Sequence, residues 1–165
     1  MIRLTYVALS SLALVAEVLP AQDSSYAAMQ SRGATAMGVD QYTSVHRFDD
    51  LANGGRIRLE RSRSDTAGAH AIQRHLNDIA RAFATGDFST PAFVHMRDVP
   101  GTAEMTLRRA SIAYHVRPLP RGAELTLRTS DPIALHAIHE FLAFQRGEHH
   151  SAGHDMSQMT GAKKP

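Results

Sequence analysis

Apolar positions alternate along two pairs of short stretches in this chain and recur at helical spacing after each pair, so the order strand, strand, helix is written twice. Ser44 to Leu51 and Arg56 to Ser62 read as the arms of a hairpin around Ala52-Asn53-Gly54-Gly55, whose Asn-Gly pair suits a tight turn. His46, Phe48, Ile57 and Leu59 share one face of it, and Arg47, Arg56, Arg58 and Glu60 the other. Ile72, Leu76, Ile79, Ala80 and Phe83 then form a helical stripe that Asp65 or Thr66 caps and Gly86 stops. Leu107 to Val116 and Ala123 to Thr129 repeat the hairpin around Pro118 to Gly122. Asp131-Pro132 opens a second helix that runs through Leu135, Ile138, Phe141 and Leu142 to about Glu148.

An offset of about 68 residues superposes His46, Phe48, Gly54, Ile57 and Leu59 on Tyr114, Val116, Gly122, Leu125 and Leu127, and about 66 superposes Asp65, Ile72 and Leu76 on Asp131, Ile138 and Leu142. The pattern predicts one α+β domain over 44–150, a duplicated strand-strand-helix unit forming a four-stranded antiparallel sheet with two helices on one face. Its copies span 44–86 and 107–150. The connector, 87–106, holds prolines and a Pro100-Gly101 turn and reads as a loop with a short extended piece at Ala92 to His95, longer than packing alone requires. Residues 22–43, rich in Ser, Ala, Gln and Gly, read as a flexible lead-in, and 151–165 as a flexible His- and Met-containing tail.

The first 21 residues change the picture of where the chain works. Arg3, an apolar run to about Val18 and Leu19-Pro20-Ala21 resemble a secretory signal cut after Ala21, with Ser25-Tyr26-Ala27 as a later site. The expected product is periplasmic or secreted and has no membrane span, because the run is too short and interrupted. The chain has no cysteine, so disulfides, thiolate ligands and a cysteine nucleophile are excluded. A net charge of +2 demands no nucleic-acid partner. No Gly-x-Ser-x-Gly elbow and no phosphate-cradling glycine loop occurs, Asp49 and Asp50 read as turn residues, and no catalytic residue is assigned.

Ten histidines are two to three times ordinary usage for this length. His46 alternates with Phe48 and faces the helices. His75 lies about 60° from the first helix's apolar stripe and His149 about 20° from Ile138 in the second, while His139 is about 100° away. His95 sits in the connector. His46, His75 and His95, followed by His139 and His149, are the candidate ligands for copper or zinc, with Met96 or Met105 as thioether donors. The alternative for each is an imidazole bonded to a carbonyl or carboxylate. No HExxH helix is present to decide between them.

Met37-Gly38-Val39-Asp40-Gln41, His46-x-Phe48, His75-Leu76-x-x-Ile79-Ala80-x-x-Phe83, Gly86-Asp87-Phe88-x-x-Pro91, His95, and His139-Glu140-Phe141-Leu142-x-Phe144-Gln145 with His149 resemble a group of small exported bacterial proteins. Its members are often labelled aspartate carbamoyltransferase and tend to occur near copper or heavy-metal resistance genes. The transferase label does not suit this chain, which lacks the Ser-Thr-Arg-Thr type turn and the larger two-domain scaffold that such a site needs. A single His46 also stands where a His-His pair is common in the group. These readings point to an exported transition-metal accessory in metal tolerance, copper before zinc. The competing readings are a periplasmic protein-interaction module with structural histidines and a metal-dependent hydrolase.

Overall fold

The computed structural model describes residues 21–151. All but the last residue of the signal segment and all but the first residue of the tail lie outside them. Helix α1 (Ala21–Met37) leads through a 3₁₀ turn into strands β1 (Ser44–Leu51) and β2 (Gly54–Arg61) and helix α2 (Thr66–Thr85). Short helices α3 (Ser89–His95) and α4 (Thr102–Leu107) follow, then β3 (Ile112–Leu119), β4 (Gly122–Thr129) and α5 (Pro132–Glu148). The sheet is antiparallel throughout in the order β1-β2-β4-β3. No helix among the described residues is long and apolar enough to cross a membrane.

The registers carry the repeat. Ser44 pairs with Arg61 in the first hairpin, and Ile112 pairs with Thr129 in the second, so the two hairpins superpose under the same offset that aligns their sequences. Between them Ile57 pairs with its own counterpart Leu125, and a local two-fold axis runs through that pair. Gly54 and Gly122 are counterparts as well. A Cβ on Gly54 would lie 1.9 Å from the Leu127 carbonyl oxygen, and one on Gly122 would lie 2.0 Å from that of Leu59. Each turn therefore needs a residue without a side chain where the neighbouring strand crosses closest.

The two long helices obey the local signals. Asp65 accepts a hydrogen bond from the Gly68 N–H, and Asp131 accepts from those of Ile133 and Ala134, satisfying donors the first turn leaves open. Ile72, Leu76 and Phe83 from α2 and Ala134, Ile138 and Leu142 from α5 meet Phe48, Ile57, Leu59, Leu125 and Leu127 in one core. Among the described residues no helix lies over the opposite sheet face, which is charged instead. There Asp49 lies buried beneath Arg56 (2.8 Å) and Arg47 (3.2 Å), and Glu124 beneath Arg58 (3.1 Å) and Arg117 (3.0 Å). Asp49 and Asp50 are strand residues held by arginines rather than turn residues, Asp50 being paired with Arg146 of α5 at 2.9 Å.

Two segments depart from the sequence reading. The lead-in is helical from Ala21 to Met37, because Met29 and Met37 are buried against the domain and the Arg32 Nε donates to the Val94 carbonyl at 2.8 Å. Tertiary anchors hold this helix, and its sequence lacks the apolar stripe that would announce it. The connector is likewise two helices, not a loop with an extended piece. Pro91 falls in the first turn of α3, where a missing N–H costs nothing.

Candidate metal centre: a histidine-lined cavity

α1, α2, α3, β1, β2 and the end of α5 surround a partly open cavity of about 90 Å³, large enough for several waters or an ion with its ligands. His46, His75, His95 and His149 all line it, together with Met37 and Gln145. Each arrives by a different route. His46 shares the inward face of β1 with Phe48, and His75 stands at the edge of the α2 stripe. His95 is the last residue of α3, and His149 follows the last turn of α5. Four of the five residues named from sequence thus meet in one place.

His139 does not join them. Its Nε2 faces the carbonyl oxygens of Leu51 and Gly54, both at 3.0 Å, and so donates to them, tying α5 to the β1–β2 turn. This is the ordinary structural role of a half-buried imidazole. The histidines that share the cavity are therefore His46, His75, His95 and His149. Of the candidate thioethers, Met96 is exposed and Met105 is fully buried in the core; Met37 reaches the cavity instead.

Inside, the His46 and His149 rings stack at 5.0 Å with planes 11° apart, and the His95 ring stands edge-on to His149 at 5.3 Å. Burial pushes the His46 imidazole down to about 4, with the neighbouring His75 adding to it. Burial first, and then repulsion from His46, His95 and His150 as like charges, lower His149 to about 3. Burial also lowers His75 and His95, against hydrogen bonds to the Ala36 carbonyl and to Gln145 respectively. The group is neutral at pH 7, the form in which imidazole binds metal.

Neutral rings still need partners, and two lack them. The Nδ1 atoms of His95 and His149 are buried with no hydrogen bond among the described residues. His95 Nε2 donates to Gln145 Oε1 at 3.2 Å, so its Nδ1 carries the free lone pair. An orphaned buried acceptor is costly, on the order of 1–3 kcal/mol each, and a cluster of them is unusual in a finished core. Among the described residues no three His, Asp or Glu side chains already stand in coordinating geometry.

Sequence reasoning missed Gln145 and Glu148. Both carried a signal: Gln145 lies four residues before His149 on one helix face, and Glu148 directly precedes the His149-His150 pair. No protein-family model matches the chain, and neither the curated proteins nor the solved structures include a significant match.

Proposed function

We propose that this protein binds a transition-metal ion in the histidine cavity, copper before zinc, as an exported accessory in metal tolerance. The observation that carries the reading is the meeting of four neutral histidines in one cavity, two of them with an unpartnered Nδ1. The donor set suits the ion. Imidazole serves copper and zinc alike, and the Met37 thioether in the wall favours copper in its reduced state. A second contact is also in place, since His95 bonds Gln145, the kind of hydrogen bond that fixes a ligating ring. Binding requires the stacked His46 and His149 rings to turn their nitrogens toward one point. The resemblance to proteins found near copper-resistance genes points the same way.

The test is a calorimetric titration of Cu(II), Cu(I) and Zn(II) into the chain and into a version with His154, Met156 and Met159 changed to Ala, which silences the tail. One equivalent bound below micromolar concentration by both, and lost in His149→Asn, supports the cavity. Absence of binding, or binding that depends on the tail alone, sinks it and leaves the interaction module as the reading to pursue.

A further inference from the structure

His95 lines not only the cavity but also a wider groove between α1 and the end of α5, where Tyr26, Met29, Arg97, Glu148 and His150 lie. Resting on the metal-binding reading, we infer that His95 and Glu148 form a ready-made intake pair for a divalent cation at the mouth of the cavity. The His95 Nδ1 and Glu148 Oε2 atoms are 3.7 Å apart. That is too long for a hydrogen bond, and it falls within the roughly 3.3–3.8 Å between two ligand atoms that each sit about 2.0–2.2 Å from one ion at tetrahedral to trigonal angles.

Each member is held from behind. Nε2–H of His95 is engaged by Gln145, which turns the lone pair of Nδ1 toward Glu148. The other carboxylate oxygen, Oε1, accepts from Arg97 Nη2 at 2.7 Å, and the same guanidinium lies 4.7 Å over the Phe144 ring. Such outer contacts orient ligands before the ion arrives. The pair also spans the boundary, since the His95 side chain is 1% exposed and that of Glu148 37%. One ligand is inside and one is at the surface.

The chain just beyond builds the passage. Ser151 N–H donates to the Arg146 carbonyl and His150 N–H to that of Gly147, closing α5 with a turn whose left-handed position is His150 at φ 46°. Glycine takes that position most easily. Here it holds an imidazole that stacks on Tyr26 in the groove at 4.8 Å, while the preceding His149 packs into the cavity. An ion meeting Glu148 and His95 at the mouth would have His149 as its next neighbour inward, 5.3 Å from His95 ring to ring. A carboxylate beside an imidazole suits Zn(II) and Cu(II) and is a poor ligand for Cu(I).

Glu148→Gln keeps the shape and an acceptor for Arg97 while removing the anionic ligand. Titrated with Zn(II), Cu(II) and Cu(I), it is expected to lose at least about tenfold in affinity for both divalent ions and to keep Cu(I) binding within about twofold. Arg97→Met, which releases the carboxylate without removing it, is expected to show a smaller loss in the same direction and serves if Glu148→Gln does not fold. Divalent binding equal to wild type in both variants overturns the intake pair while leaving the cavity reading intact. Absence of metal binding by the wild-type chain removes the cavity reading and this one with it.

Discussion

The two ends of the sheet are counterparts under the repeat, yet one is lined with imidazoles and the other packed with benzene rings. His46 corresponds to Tyr114, His75 to Phe141, and His149 to Phe83. Where His46 stacks on His149, Tyr114 meets Phe83 edge-on at 6.1 Å, and Phe141 and Phe88 close around Phe83 at 5.8 and 4.2 Å. The rings of Phe83, Phe88 and Phe141 pack on one another, Phe83 and Phe141 also forming the inner wall of the cavity, while the four histidines line the rest of it. The scaffold therefore does not require histidine at these positions, because its own second copy satisfies them with apolar rings that incur no desolvation of a charged form. Burying imidazoles with unpartnered nitrogens opposes stability, and the proposed ligand role supplies a reason for retaining them.

The largest effect is expected from grafting one end onto the other. His46→Tyr with His149→Phe should abolish metal uptake in a calorimetric titration while the folded state remains within about 2 kcal/mol of wild type in urea at pH 7, since the added ring volume enters an existing cavity. Retention of the site by this variant, or collapse of its fold, breaks the comparison.

A smaller effect separates the ends by pH in the metal-free protein. His46 falls from 6.5 to about 4 on folding, so between those values the unfolded chain binds more protons than the folded one, and stability declines as pH is lowered through that window. The loss is on the order of 3 kcal/mol for His46 alone. Urea midpoints at pH 7 and pH 4.5 measure it, and the grafted variant, which keeps the lowered His75 and His95, should show a shallower slope over the same range. Equal slopes for the two proteins would mean that acid acts elsewhere.

The smallest effect lies at the aromatic end. The Tyr114 hydroxyl is buried without a hydrogen bond among the described residues, and burial raises its pKa. Tyr114→Phe should change stability by less than about 1 kcal/mol or slightly increase it, because it removes an unsatisfied polar group and leaves the ring in place. Thermal or urea unfolding decides this, and a loss beyond that size would show that the hydroxyl is held.

The sequence by itself determined the four strands, the two capped helices and the repeat. Those features follow from local rules: side chains alternate with period two, apolar stripes follow the helical turn, Asp65 and Asp131 bond open N–H groups, and glycine stands where strands cross. It also nominated His46, His75, His95 and His149, through their phase on elements whose faces could be read. Only the tertiary structure decided that these four share a cavity and that His139 is spent on two backbone carbonyls, since convergence depends on distances between elements far apart in sequence. The same holds for α1, whose helix rests on Met29, Met37 and Arg32 reaching the domain, and for the His95–Glu148 pair, which exists because α3 ends where α5 ends. Such contacts leave no periodic trace in the chain, because each is a single meeting in space rather than a repeated local preference.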